Sequence, residues 1–173
     1  MPKSAAHPNL KVIFIVAILA LGGLVYMKNY RQQTKQINEA EQGITSLYTN
    51  DLLHFALEIP NTLSVHEGPG DIRITEDKSK KEIVILTNAT DFNDLDTYLK
   101  ELDTKNKTNI TTDERTKIGG NDSSRRIIKF NNGETQLAFN IYVNGRIYIL
   151  QTNSPSLYST LDQIAHSFRY TPN

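Results

Sequence analysis

The chain of 173 residues carries 19 lysines and arginines against 19 aspartates and glutamates, and it contains no cysteine. This length suits one domain of ordinary size with an appendage. The balanced charge argues against a nucleic-acid-binding protein, which would show a basic excess. The absence of cysteine excludes disulfide bonds, thiolate nucleophiles and thiolate metal ligands.

The N-terminal part of the chain contains one long apolar run, VIFIVAILALGGLVYM, at residues 12–27. Together with Leu10 and the aliphatic stem of Lys11, it provides about 18 residues. At a rise of ~1.5 Å per residue these nearly span the ~30 Å hydrocarbon core of a bilayer. Bulky residues follow the run, where signal-peptidase cleavage would need small ones. We therefore predict that residues 10–27 form a transmembrane signal anchor that remains in the mature protein.

The predicted anchor divides the chain into a short tail and a larger C-terminal part. Residues 1–9 form the tail, residues 28–46 form a polar stalk or linker, and residues 47–173 form one folded domain. Basic residues lie on both sides of the anchor, and their count slightly favours a domain inside the cell. Long domains, however, translocate largely regardless of such charges.

The first strand of the domain is predicted from the stretch FALEIP at residues 55–60. Phe55, Leu57 and Ile59 alternate with polar or small residues, which is the period of a half-buried strand. Two short strands are expected to follow, at residues 62–65 and 72–74.

A helix over residues 91–104 is predicted to pack on a strand at residues 82–87. The run EIVILT at 82–87 is continuously apolar, which is typical of a strand covered on both faces. Asp91 is a suitable N-cap for the helix that follows. The apolar residues of this helix recur with the spacing of one helical face: Leu95, Tyr98, Leu99 and Leu102.

The C-terminal half predicts an antiparallel meander closed by a second helix. Its strands are expected at residues 123–130, 135–143 and 146–152, and Asn144-Gly145 is a strong hairpin signal. The second helix begins at Ser154-Pro155, an N-cap followed by proline at the first helical position. Its apolar stripe contains Leu157, Leu161, Ile164, Ala165 and Phe168.

Three segments resemble those of PsbP/Mog1-like domains of the bacterial envelope type. They are Tyr48-Thr49-Asn50, the strand at 55–60, and the ending Ser167-Phe168-Arg169-Tyr170. The resemblance covers residues 48–170 and implies an α+β fold, an α-β-α sandwich with a central antiparallel sheet. It also implies accessory, binding or assembly roles rather than catalysis, and it favours a domain held outside the cytoplasm.

The four histidines are the natural candidates for metal ligands or general bases. His7, His54, His66 and His166 show no pair with the spacing of a zinc site. His54 is expected on the outward face of the first strand, and all four are interpreted as surface residues. The sequence therefore predicts no metal and no cofactor.

Two charged clusters have ordinary structural explanations. The acids at 91–96 lack the ligand pattern of a calcium loop and are expected to cap the helix. Arg125, Arg126 and Lys129 lie near Lys117 in the sequence. Arg125 and Lys129 would share one face of a strand while Arg126 points the other way, so these residues are expected on a solvated strand. The alternative is a basic patch that contacts anionic headgroups or an acidic partner.

These observations predict a single-pass membrane protein with a non-catalytic binding or assembly-accessory domain outside the cytoplasm. Its expected partners are the bilayer, through residues 10–27, and a membrane or envelope protein, and no catalytic residue is predicted. One alternative is an enzyme in which carboxylates such as Glu58 and Glu76 converge with a histidine. The other is a minor pilin or secretion pseudopilin, although Asn9-Leu10-Lys11 lacks the required cleavage glycine.

Overall fold

The computed structural model of the protein describes residues 44–76 and 79–172. The predicted tail, the predicted anchor at 10–27 and nearly all of the predicted stalk lie outside the described residues. Within the described ranges, no helix combines the length and apolar character needed to cross a membrane.

Ten strands and two α-helices make up the regular structure of the described residues. Helix α1 is Leu95–Asn106, and helix α2, Tyr158–His166, follows a short 3₁₀ turn at Pro155–Leu157. The strands are β1 (Thr45–Asn50), β2 (Phe55–Pro60), β3 (Leu63–Glu67), β4 (Ile72–Glu76), β5 (Glu82–Ala89), β6 (Ile110–Ile118), β7 (Asn121–Lys129), β8 (Thr135–Val143), β9 (Arg146–Thr152) and β10 (Arg169–Tyr170).

The strands form two antiparallel sheets. The smaller sheet has the order β1-β2-β10, and the larger has the order β3-β4-β5-β9-β8-β7-β6. The predicted meander corresponds to β7, β8 and β9, which pair consecutively. The hairpin turn lies where it was expected, because Asn144 has φ 48° and Gly145 has φ 77°, as a type I′ turn requires.

The two helices pack against opposite faces of the larger sheet, as the alternation along β9 shows. Ile147 and Ile149 belong to a small apolar cluster under α1. Tyr148 and Leu150 belong to the main core, which also contains α2 and strand β2. All residues of the stripe predicted for the second helix lie in this main core: Leu157, Leu161, Ile164, Ala165 and Phe168.

Two edge strands were not predicted from the sequence. Strand β1 lies beside β2 and begins at Thr45, so FALEIP is the second strand of the domain and not the first. Most side chains of β1 face solvent, and even Leu47 is 65% exposed. Strand β6, ITTDERTKI, is also largely exposed and carries four charged residues. Neither strand has the alternation that a buried face imposes.

The predicted N-cap of the first helix is wrong by three residues. Asp94, and not Asp91, is the N-cap of α1, and its Oδ1 accepts a hydrogen bond from the backbone N–H of Thr97 at 2.7 Å. Asp91 is excluded because the chain becomes helical only at Leu95.

The prediction that residues 82–87 are covered on both faces holds for one face only. Ile83 and Ile85 are buried, but Val84 and Leu86 on the α1 face remain half-exposed. Helix α1 has 12 residues and covers only part of this face of a seven-stranded sheet. The uncovered part contains the candidate site.

Candidate functional site

A cavity of about 470 Å³ lies between helix α1 and the part of the sheet that this helix leaves open. Its wall includes Gln136, Ala138 and Asn140 of β8, and the residues between them are large apolar members of the main core. Because side chains alternate across a strand, β8 turns small or polar residues toward α1. The volume is within the usual range of ligand pockets, about 300–1,000 Å³.

Arg126 of β7 is the buried charge of the cavity wall, with a side-chain exposure of 1%. Its Nη2 donates a hydrogen bond to Oδ2 of Asp103 on α1 at 2.5 Å. Its Nε lies 3.5 Å from Oδ2 of Asp113 on β6. A buried guanidinium needs such counter-charges because it has lost its hydration. Arg126 therefore ties α1 to the sheet.

The neighbouring Arg125 points to the other face of the sheet, as the alternation predicts. Its Nε donates to Oδ1 of Asp162 on α2 at 2.8 Å, and this bond raises the pKa of Arg125 above its ordinary value. The expectation of a solvated strand is nevertheless wrong at Arg126, which is buried. The carboxylates of Asp103 and Asp113 make that burial possible.

Seven carboxamide side chains line the cavity. Two of them have partners: Gln136 donates to Asn153 at 2.9 Å, and Asn140 donates to Ser124 at 3.3 Å. A carboxamide offers one acceptor oxygen and two N–H donors. The remaining five make no side-chain hydrogen bond to any described residue: Asn88, Asn106, Asn109, Asn131 and Gln151.

Two lysines and one aromatic ring lie at the edge of the cavity. Lys107 is the C-cap of helix α1, with φ 49°. Lys129 ends strand β7, where the alternation of the strand turns its side chain to the α2 face, with that of Arg125. The backbone N–H of Lys129 donates to the carbonyl of Asn109 at 2.9 Å, which holds the loop after α1 against the strand. Both lysines are exposed, and Phe130 is 39% exposed.

The histidine candidates do not lie in this cavity. His54 lies in a turn with φ 59° and is not on the outward face of a strand. His66 is exposed on edge strand β3, and His166 ends α2, where its Nδ1–H donates to the carbonyl of Asp162 at 2.7 Å. His7 lies outside the described residues. No cluster of three or more potential metal ligands occurs in residues 44–76 and 79–172.

The acidic candidates are also placed elsewhere. Glu58 forms an ion pair with Arg169 at 2.8 Å, and Glu76 ends strand β4, so neither lines the cavity. In the acidic cluster before α1, Asp94 caps the helix and Asp96 pairs with an arginine of β6 at 2.7 Å.

Tyr98, Leu102 and Arg126 were singled out from the sequence for other reasons, but nothing in the sequence predicted that they would share a cavity. A weak signal was present in β8, where Gln136, Ala138 and Asn140 replace the large apolar residues expected on a fully covered strand. That signal becomes informative only when the position of α1 is known.

No protein-family model matches the chain, and no curated protein sequence matches it. Among solved structures, it is similar to cyanobacterial PsbP (CyanoP) from Synechocystis sp. PCC 6803. That match has a TM-score of 0.56 and 11% identity over 73% of this chain and 92% of that chain. PA94, a protein of unknown function from Pseudomonas aeruginosa, matches with a TM-score of 0.45 and 16% identity over 75% of this chain and 99% of that chain.

The fold is therefore of the PsbP/Mog1-like class, a sheet-dominated α+β structure with antiparallel sheets. This confirms the coarse fold that the resemblance implied, a PsbP-like α+β structure with antiparallel strands. At 11% identity, the similarity to cyanobacterial PsbP establishes the fold alone.

Proposed function

We propose that this protein is a membrane-anchored binding or assembly-accessory domain without catalytic activity. Residues 10–27 would span the bilayer, with the N-terminus inside and the folded domain outside the cytoplasm. The domain would bind a membrane or envelope protein through the cavity beside α1.

The observation that carries this proposal is the group of five carboxamides without internal partners in a cavity of about 470 Å³. A concave site with several convergent hydrogen-bonding groups is the usual form of a binding site. Carboxamides donate and accept hydrogen bonds but are not ionised near neutral pH, so they do not act as general acids or bases. They are therefore suited to holding a ligand.

The charged groups of the cavity also favour binding over catalysis. Oδ2 of Asp103 is paired with Arg126 at 2.5 Å, where it compensates a buried charge and ties α1 to the sheet, which is a structural role. Lys107 and Lys129 are exposed to solvent, whereas a nucleophilic lysine is usually desolvated.

An anchor and a polar stalk would hold the cavity close to the membrane surface. Tethering raises the effective concentration of a membrane-bound partner, so a weak interface is sufficient. We therefore expect a Kd nearer micromolar than nanomolar, equivalent to about −8 kcal/mol.

The test of binding is to purify the full-length chain with its bound proteins from its native membrane and identify them by mass spectrometry. Asn88→Trp places a bulky ring in the cavity at an exposed position and should remove the partner. Gln163→Trp, at an exposed position of α2 on the opposite side of the sheet, is the control and should retain it. Retention of the same partner by Asn88→Trp would contradict the proposal.

The anchor is tested on the same preparation. The intact mass and the N-terminal sequence of the membrane-extracted protein should show that residues 12–27 are retained. A mature protein that starts after residue 25 and is recovered in the soluble fraction would exclude the anchor.

A further inference from the structure

We infer that the cavity binds an extended, acidic peptide segment of the partner and hydrogen-bonds its main chain through carboxamide side chains. This inference rests on the proposed binding function and adds to it the chemical class of the ligand. It follows from the unused hydrogen-bonding groups, the apolar surface between them and the charge at the edge.

The spacing of the carboxamides matches an extended main chain. Asn88 of β5 lies opposite Ile147 of β9, and Gln151 is four residues further along β9. At ~3.3 Å per residue, these two carboxamides are on the order of 13 Å apart along the strands, the length of about four extended residues. Each carboxamide can pair with both an N–H and a C=O of a peptide.

The wall of the cavity also contains a carboxylate oxygen that is not hydrogen-bonded within the described residues. Oδ1 of Asp103 is buried and accepts no hydrogen bond from any described residue. Buried carboxylate oxygens are normally hydrogen-bonded, and an unsatisfied one is unfavourable. The main-chain N–H of a bound peptide is a neutral donor that would satisfy this oxygen while Oδ2 remains paired with Arg126.

The apolar part of the cavity favours a peptide over a glycan. Leu102, Ile128 and Ile149 line it and remain half-exposed, so they can receive apolar side chains, which a glycan does not carry. Phe130 offers only a partly exposed ring. Tyr98, the other aromatic residue of the wall, already packs edge to face against another ring at 6.3 Å.

The charge at the edge of the cavity favours an acidic segment. The charge of Arg126 is met by Asp103 and Asp113 within the fold. Lys107 lines the cavity, is exposed, and has no ion pair with a described residue. Charge complementarity of this kind selects acidic partners and weakens with salt.

The inference is tested by fluorescence anisotropy with the detergent-solubilised full-length chain. The probes are three labelled nonapeptide pools, randomised over alanine, serine, threonine and valine and flanked by glutamate, glutamine or lysine. We expect the glutamate pool to bind at least tenfold more tightly than the lysine pool, with an affinity that falls as salt is added. N-methylation of alternate peptide bonds should weaken binding at least tenfold, because it removes main-chain N–H donors.

Matched variants assign this binding to the cavity. Asn88→Leu and Gln151→Leu should each weaken binding of the glutamate pool several-fold, and Gln163→Leu on α2 should leave that affinity unchanged. Lys107→Gln should abolish the preference for glutamate over lysine, and Lys129→Gln, on the α2 face of β7, should leave that preference unchanged. Circular dichroism of each variant establishes that the fold is retained.

Absence of binding by the glutamate pool, equal affinity for the lysine pool, or no effect of N-methylation would each overturn the inference. Binding of chitotetraose that Asn88→Leu abolishes, with no peptide binding, would assign the cavity to a glycan and also overturn it. If Asn88→Trp removes the native partner but no peptide pool binds, the proposed function stands and only the ligand class is wrong. If Asn88→Trp retains that partner, the proposed function itself fails.

Discussion

Charged residues in this domain differ sharply in how much they need a partner of opposite charge, because some are exposed to water and others are buried. The pair Lys117–Asp122 joins side chains that are 69% and 65% exposed, so water can solvate either charge when the other is removed. Arg126 is 1% exposed, and its carboxylate partners replace the water that it has lost. Removal of one of those partners leaves a buried charge poorly compensated.

We expect Asp103→Ala to lower the free energy of unfolding by about 3 kcal/mol, the lower end for breaking a buried pair, since Asp113 still faces the guanidinium. The control Asp122→Ala removes the same type of side chain from an exposed ion pair and should change the free energy of unfolding by less than about 1 kcal/mol. Urea denaturation of fragment 43–173, which we expect to be soluble, measures both. Equal effects of the two substitutions would refute the role assigned to Arg126.

Tyr48 should make the domain sensitive to alkaline pH. Burial, together with the hydrogen bond that its hydroxyl donates to Glu67 at 2.5 Å, raises the pKa of Tyr48 to about 12. The unfolded value is about 10, so this contribution to stability is fully present below pH ~10 and is lost as pH rises toward the folded pKa. Tyr48→Phe should therefore lose less stability than the wild type between pH 10 and 12 in urea titrations. Parallel loss in both proteins would show that Tyr48 does not contribute.

At the scale of secondary-structure elements, helix α1 depends on its first turn. Asp94 accepts hydrogen bonds from the backbone N–H of Thr97 at 2.7 Å and from its hydroxyl at 2.9 Å. These bonds satisfy one of the free N–H groups at the start of the helix. The backbone hydrogen bond lowers the pKa of Asp94 below its ordinary value.

This cap should make α1 sensitive to acid. A lowered folded pKa contributes stability above the unfolded value of about 3.9 and loses it as pH falls below that value. Asp94→Asn keeps a good cap without a titratable group, so its Tm should fall less between pH 5 and 3 than that of the wild type. Asp94→Ala should have the lowest Tm of the three at pH 5. A wild-type Tm that follows Asp94→Asn over the whole range would contradict the assignment.

The hairpin between β8 and β9 requires glycine at its second turn position. Gly145 has φ 77°, a conformation that β-branched residues resist, although its Cβ would meet only the carbonyl of Thr90 at 3.5 Å. Gly145→Val should therefore destabilise the domain by about 1–2 kcal/mol through backbone strain. Gly70→Val is the control, because Gly70 has open space and no positive φ. Denaturation midpoints that shift equally would show that strain is not the cause.

At the scale of the whole domain, the two faces of the larger sheet are unequally stabilised. The main core contains α2, β2 and the inward face of β8, whereas the cluster under α1 contains only three buried residues, Leu95, Leu99 and Ile147. Segments with fewer buried apolar contacts open at lower free energy.

Hydrogen exchange of fragment 43–173 should therefore show faster exchange in α1 than in β8, β9 and α2. The measured opening free energies for α1 should lie below those of the central strands. Leu99→Ala should lower the values for α1 further and should have a smaller effect on α2. Protection of α1 amides as strong as that of β8 would indicate that the domain unfolds as one cooperative unit.

The sequence alone determined the elements whose signals are local or repeat within one element. The alternation of FALEIP and TQLAFNIYV, the stripe of α2 and the Asn144-Gly145 turn all predicted structure where it occurs. In each case the residues that carry the signal are either adjacent or one period apart, so no knowledge of the rest of the chain is needed. The anchor at 10–27 is likewise a local signal and stays a prediction.

Only the tertiary structure decided the edge strands and the start of α1. TSLYTN and ITTDERTKI become strands because β2 and β7 offer free backbone groups beside them, and exposed side chains record nothing of that pairing. Asp91 and Asp94 are equally good N-caps by type, and the packing of Leu95 on Ile147 places the start of the helix after the second.

The cavity is the clearest case of a feature that the sequence alone did not reveal. Arg126 looked like a solvated residue until Asp103, 23 residues away, was brought within 2.5 Å of it. The five carboxamides come from two strands, one helix and two loops, and nothing in their spacing along the chain connects them. A cavity depends on the distance between packed elements, whereas a sequence pattern describes one element at a time.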